Sequence, residues 1–466
     1  MSKVFVFGID GMPPKMVFDD YIDELPNLRS LMEKGLYGKI KSTSPPSTIL
    51  AWSAFCSGRD PGELGVYSYT YRSKHASEEA GLVNSTMIKH KMLWDMLSEK
   101  GKKSIVLNVP LTYPARQLNG FMVTDFLTPD FDSNCVYPTE FKKKIRELVG
   151  EDYMFDVSEF LGYKSMDPKK LLELTYKMTD MHIKVAKYLF ENEAWDFFMC
   201  VIIGSDRLHH MLWKYTDKSH SEYNEELKDS LKDFYKYLDR HLGYFLERID
   251  KETTIIVSSD HGMVQTKGKI NINDWLIEKG YLHLKPEYKE KAKEKPLKLR
   301  LSMIDWSRTK AYEIGAYQAR IYINRKGKES LGIVNEAEYH DLRKKLKAGL
   351  LKIRGMYDED LETEVFFPEE LYKNGFGKEA FDLLVYFDDL KYSVNPDVGN
   401  KGMYSDRTTL GADSAGHHPY GSFIIAGNKV DKTGNIGVVD ILDVAPTIIK
   451  LLQMESIEDL QGKSIL

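Results

Sequence analysis

Cysteine is scarce in this chain. Cys56, Cys135 and Cys200 are the only three in 466 residues. They are too few and too scattered for a disulfide framework or a cysteine-rich zinc site, and each reads as a small core hydrophobe. Long apolar runs are missing too. The longest, around residues 197–203, falls well short of the roughly 20 residues a membrane span requires. Met1-Ser2-Lys3 runs straight into Val4-Phe5-Val6-Phe7, too short for a signal-peptide core and without a cleavage site. The expectation is a soluble, cytoplasmic protein with no membrane partner. Positive charge is not in excess: the net charge of −5 argues against a protein that coats nucleic acid. Internal repeats and low-complexity tracts are absent. Glutamine is sparse beside abundant lysine and glutamate, a pattern compatible with a heat-adapted source.

With 42% hydrophobic and 12% aromatic residues, the chain can bury a large core and carry a second lobe. Short apolar runs recur, each ending in a chemically loaded turn. Val4 to Ile9 ends at Asp10-Gly11, Ser104 to Val109 at Pro110, and Phe197 to Gly204 at Ser205-Asp206. Thr254 to Ser258 ends at Ser259-Asp260-His261-Gly262, and Ser422 to Ala426 at Gly427. Runs apolar throughout predict strands buried on both faces of a parallel sheet. Helical patterns lie between them, over Leu25 to Lys34, Lys91 to Lys100, Pro168 to Glu191, Ser221 to Asp250 and Val439 to Leu452. The alternation predicts an α/β fold with a central mostly parallel sheet between helices. Its ligand site belongs beyond the carboxyl ends of the strands. Residues 268–404 differ, being rich in Lys, Glu and Tyr, and read as an inserted α+β cap or substrate domain. Residues 1–267 and 405–466 then form the two parts of a metal-binding catalytic core. Stretches near 69–90 and 129–165 read as shorter insertions.

The acids and histidines at strand ends carry the chemistry. Asp10 lies between Gly8 and Gly11, which allow close backbone approach; alone, it could equally be a turn-capping Asp. Asp206 and His210 are spaced i,i+4, so on a helix they share a face, with His209 as a competitor. Asp260-His261 after a buried strand cannot enter an apolar core unpaired, which favours metal ligation over a surface turn. In Gly416-His417-His418-Pro419 one histidine is expected to ligate while the other packs or orients. Ser47 or Thr48 opens a helix after Pro45-Pro46, where N–H groups and dipole favour an anion, although an ordinary N-cap has the same look. The six acids and imidazoles make two three-residue sets, enough for two divalent ions flanking one hydroxyl. Such a mixed donor set suits zinc best, with manganese or iron as alternatives.

In the order Asp10, Thr48, Asp206 with His210, Asp260-His261 and His417, the chain resembles the alkaline phosphatase superfamily, in its type I phosphodiesterase/nucleotide pyrophosphatase branch. Pro46-Ser47-Thr48, Gly58, Pro61-Gly62-Glu63-Leu64-Gly65-Val66 and Asp440-Ile441-Leu442-Asp443-Val444-Ala445-Pro446-Thr447-Ile448 support the likeness. It covers residues 1 to about 265 and about 405 to 466. The resemblance implies an alkaline-phosphatase-like core, with Asp206, His210 and His417 holding one ion and Asp10, Asp260, His261 and the Thr48 hydroxyl holding the other. The register to Gly58 selects Thr48 over Ser47, and the spacing to Gly421 selects His417 over His418. It further implies hydrolysis of a small phosphorylated substrate, a phosphodiester or nucleotide pyrophosphate, through a phosphothreonine on Thr48. Where nucleotide pyrophosphatases carry a phosphate-contacting Asn, this chain has Tyr69. Three alternatives share the core: a phosphomutase, a phosphomonoesterase and a sulfatase. In Cys56-Ser57-Gly58-Arg59 the sulfatase pattern fails, with Arg one residue early. A non-catalytic binding protein would have lost a ligand, and none is missing.

Overall fold

The computed structural model describes residues 2–71, 81–158, 162–373, 379–406, 413–455 and 460–466. It divides into two compact units. The first comprises Met1–Leu64, Asn84–Met263 and His417–Leu466; the second comprises Gly65–Val83 and Val264–Gly416. Parts of the expected insertions, at 72–80 and 159–161, fall outside the described residues.

The first unit is built on a nine-stranded sheet. Its strands in chain order are β1 (Lys3–Ile9), β2 (Leu36–Lys41), β3 (Ser104–Leu107), β4 (Gly120–Val123), β5 (Val136–Tyr137), β6 (Phe197–Ile202), β7 (Thr253–Ser258), β8 (Tyr420–Ala426) and β9 (Gly434–Asp440). In space the order is β9-β2-β8-β7-β1-β6-β3-β4-β5. β1 runs parallel to both β7 and β6, so three of the expected strands form the centre. β8 is antiparallel to β7 and β2, and β5 to β4; the remaining pairs are parallel. On one face of the sheet, Phe5, Phe198, Phe190 and Phe245 pack ring to ring at 5.1–6.4 Å, which explains why that face of the strands is apolar.

Helices connect the strands, among them α1 (Pro26–Lys34), α2 (Thr48–Ser57), α3 (Pro168–Asn192), α4 (Gly204–Thr216), α5 (Ser230–Leu246) and α6 (Val444–Leu451). α3 starts at Pro168 because Asp167 accepts from the N–H groups of Lys169 and Lys170, and proline suits the first helical position. Three expected helices are shorter than their patterns, the one over Lys91 to Lys100 being helical only at Leu93–Glu99. Residues 221–229 form turns before α5, anchored by Asn224 accepting from Glu226 N. Val439 and Asp440 end β9, so the last helix begins only at Val444.

Gly8 places the wall of the site. A Cβ there would lie 2.7 Å from the Trp52 ring and 2.9 Å from Val201. Gly8→Ala is therefore expected to lower stability by about 1–3 kcal/mol through overpacking, read as a fall in Tm.

The second unit has its own core. Strands Ala311–Glu313, Ala319–Ile323, Leu383–Tyr386 and Glu364–Phe366 form an antiparallel sheet in that spatial order. Helix Glu336–Leu350 starts with a capping box between Asn335 and Glu338. The Tyr-rich hairpin packs rather than projects: Tyr312 and Tyr322 are buried and stack at 5.6 Å. No described helix in either unit is long and apolar enough to cross a membrane.

Candidate metal centre

Three strand-to-helix or strand-to-turn junctions of the first unit bring the acids and imidazoles together. Asp10 follows β1, Asp206 lies in the first turn of α4 just beyond β6, and Asp260-His261 follows β7. His417 enters just before β8, and Thr48 is the first residue of α2. All seven residues are buried, none more than 2% exposed.

Two clusters emerge from the distances. Asp206 Oδ1 lies 3.3 Å from both His210 Nε2 and His417 Nε2, and these two nitrogens are 3.2 Å apart. His261 Nε2 lies 3.2 Å from Asp260 Oδ2, 3.6 Å from Asp10 Oδ1 and 3.3 Å from Thr48 Oγ1. The clusters adjoin, since the rings of His261 and His417 stack at 3.7 Å. Ligand atoms about 2.0–2.1 Å from a tetrahedral zinc are about 3.3 Å from one another, which both clusters match.

Electrostatics point the same way. His261 Nδ1 faces the Gly262 carbonyl at 2.9 Å and His417 Nδ1 faces the Pro46 carbonyl at 3.1 Å. A carbonyl only accepts, so each Nδ1 carries the proton and each Nε2 turns a lone pair inward. Burial keeps both rings neutral, lowering His261 well below its usual pKa and lowering His417 as well. The short contacts of His261 and His417 to carboxylates are thus acceptor facing acceptor, not ion pairs. Asp10 Oδ1, Asp206 Oδ1 and Asp260 Oδ2 have no hydrogen-bond donor. Burial pushes Asp10 and Asp260 well above the usual carboxylate range, reinforced at Asp10 by Asp260 and then Asp206, and at Asp260 by Asp206. At Asp206, burial is opposed by Arg207, which donates to Oδ2. Inward-facing acceptors without donors are the surroundings a cation needs. Asp206, His261 and His417 form one group able to hold a metal ion, and Asp10, Asp260 and His261 another.

The sequence signature of the type I phosphodiesterase/nucleotide pyrophosphatase family matches residues 4–420. The chain belongs to this family. None of the curated proteins matches it. Among solved structures, an inactive variant of murine ectonucleotide pyrophosphatase/phosphodiesterase 5 in complex with AMP is similar, at 12% identity and a TM-score of 0.57, covering 98% of this chain and 96% of the other. Human ectonucleotide pyrophosphatase/phosphodiesterase 5 is similar at 11% identity and a TM-score of 0.57, over 100% and 97% of the two chains. The likeness shows the alkaline-phosphatase-like fold. Membership in the phosphodiesterase/nucleotide pyrophosphatase family supports hydrolase activity of that type.

The neighbouring residues sort themselves. Ser47 is the N-cap of α2, yet its hydroxyl makes no cap bond. His209 turns to Tyr235 Oη at 2.9 Å, and His418 accepts from Tyr420 N at 3.3 Å. Cys56 lies fully buried, 3.7 Å from Met199 Sδ, a core thiol outside the cluster.

Several supporting residues were not anticipated from the sequence. Trp52 Nε1 donates to Asp10 Oδ2 at 2.8 Å, and Ser205 Oγ to the Asp10 carbonyl. Arg207 donates to Asp206 Oδ2 at 2.7 Å while its other nitrogens grip Asp156. Gly11, at φ +64°, donates its N–H to Asp260 Oδ1 at 3.2 Å. Trp52 was within reach of sequence reasoning, being i+4 from Thr48 and so on the same helix face. Trp52→Phe removes one fixed donor from Asp10. It is expected to weaken metal affinity or activity by about 10–100-fold, measured by metal titration and steady-state rate.

Proposed function

We propose that the protein hydrolyses phosphate esters, chiefly phosphodiesters or nucleotide pyrophosphates, with Thr48 as nucleophile and two divalent ions in the paired clusters. One observation carries the reading: carboxylate oxygens without donors and the Nε2 lone pairs of His261 and His417 meet in two adjoining clusters, with the Thr48 hydroxyl 3.3 Å from His261 Nε2. Asp206, His210 and His417 would hold one ion; Asp10, Asp260, His261 and Thr48 would hold the other. The donor set favours zinc, with manganese or iron as alternatives. Such ions supply positive charge that eases ionisation of the nucleophile and offsets charge on the attacking and leaving oxygens.

The chain's own residues do the rest. Thr48 gives up its hydroxyl proton to solvent, Oγ1 attacks phosphorus in line, the ester oxygen leaves and takes a proton from water, and the phosphoryl group rests on Thr48. Water then attacks the same phosphorus and returns Thr48 to its free form. Two displacements give overall retention at phosphorus. The N-terminus of α2 directs its free N–H groups and dipole at the incoming phosphate. Trp52 and Gly11 fix the carboxylates of Asp10 and Asp260, so the charge arrangement need not reorganise during reaction. A nucleotide ester is the natural substrate given the family. A cytoplasmic setting accords with three buried, unpaired cysteines.

A substrate panel tests the reading on zinc-loaded protein. Bis-p-nitrophenyl phosphate and a nucleotide p-nitrophenyl ester are expected to turn over well above p-nitrophenyl phosphate, with an aryl sulfate inert. Preference for the monoester would make the protein a phosphomonoesterase. Failure of every ester at full metal content would remove the hydrolase reading.

A further inference from the structure

Arg207 is a cation held inside the first unit, 5% exposed. Its guanidinium lies 5.0 Å from the ring centroids of both Phe126 and Tyr163. Nε and Nη2 donate to the Asp156 carboxylate at 2.8–3.2 Å, and Asp156 Oδ1 also accepts from the Val157 N–H at 2.8 Å. Nη1 donates to Asp206 Oδ2 at 2.7 Å. Adjacent residues on a helix do not face each other, so this last bond depends on Asp156 and the two rings to hold the side chain against its neighbour. A planar fork that grips two carboxylates at once is a contact lysine cannot copy.

The two oxygens of Asp206 are thereby made unequal. Oδ2 is engaged by a cation, whereas Oδ1 has no donor and lies 3.3 Å from the Nε2 atoms of both His210 and His417. A dication chelated by both oxygens would have to share Oδ2 with a guanidinium of like charge. Zinc in a tetrahedral site asks little more than one oxygen of such a ligand. Manganese favours octahedral, oxygen-rich surroundings, which a chelating carboxylate would help to complete. We propose that Arg207 is a positioning residue that confines Asp206 to ligation through Oδ1 alone, and so biases the site of Asp206, His210 and His417 toward zinc over manganese. The inference rests on the two-ion reading and adds to it what selects the ion.

R207K separates geometry from charge, since lysine keeps the positive charge and loses the fork. Zinc and manganese titrations of metal-stripped protein, by calorimetry with chelator competition and by elemental analysis, read the two binding steps. The parent is expected to take up two zinc ions. In R207K one step should lose about 10–100-fold in zinc affinity while its manganese affinity holds or rises. The zinc-to-manganese ratio at that step then falls by about tenfold or more, and the other step keeps its parental ratio. D156N should shift the same step in the same direction, because only one oxygen is left to accept from the guanidinium. General damage to the fold would weaken both steps together and leave the ratios alone. A parental ratio at both steps in either folded variant overturns the proposal, as does equal loss at both. Where neither variant folds, the crystal structure of the zinc-loaded parent decides: ligation by Oδ1 alone supports the proposal, and chelation by both Asp206 oxygens overturns it. Two zinc ions bound with unchanged selectivity in R207K would remove this inference and leave the two-ion reading standing, whereas a parent that binds no metal would remove both.

Discussion

Thr48→Ala is expected to cut ester turnover by about 10³-fold or more while bound metal is retained. The hydroxyl is the only alcohol of its cluster, 3.3 Å from His261 Nε2. Its loss leaves Asp10, Asp260 and His261 in place, and alanine is at home in a helix. The matched control is Ser47→Ala. Ser47 makes no side-chain cap bond, so its hydroxyl has little to lose, and near-parental activity is expected. Steady-state rates together with elemental analysis separate the outcomes. Parental turnover in Thr48→Ala would take the nucleophile away from that position, and collapse in Ser47→Ala would move it one residue back.

Asp260→Asn should release one of the two bound ions. Asp260 Oδ1 is occupied by the Gly11 N–H, whereas Oδ2 faces His261 Nε2 at 3.2 Å with no donor. An amide keeps the volume but removes the charge that an ion would pair with, and it has a nitrogen in place of one oxygen. Elemental analysis should show the loss, and unchanged metal content would contradict the ligand role. A second signature appears in metal-free protein. Burial raises the folded-state pKa of Asp260, so the acid costs stability that is absent below its unfolded pKa and grows as pH rises towards the folded value. Metal-free Asp260→Asn should therefore melt higher than the metal-free parent at neutral pH, and this gain should vanish in acid.

How legible the site was depended on the kind of atom involved. β1, β6 and β7 read clearly because strands covered on both faces are apolar without interruption, and their chemistry is pushed to the carboxyl ends. β2 and β9 gave no such signal. Leu36–Lys41 alternates between buried and exposed positions, and β9 is largely exposed at the sheet edge. The spacing of Asp206 and His210 was readable because one helical turn fixes it. The carbonyls of Pro46 and Gly262, which set the histidine tautomers, carry no residue-specific mark. Asp156 braces Arg207 from 51 residues away, a pairing that only tertiary structure creates. The expected long helix from Ser221 missed the turn chemistry of Asn224, which competes with helical hydrogen bonding through its own side chain.

The antiparallel placement of β8 has a bearing on assembly. Translation delivers β1, β6 and β7 early, but the strand that joins β2 to β7 arrives only after residue 420. The histidine three positions ahead of it completes the set around Asp206. A growing polypeptide therefore has neither a continuous sheet nor a complete cluster around Asp206 until this late stretch docks, so completion of the cluster and closure of the scaffold coincide.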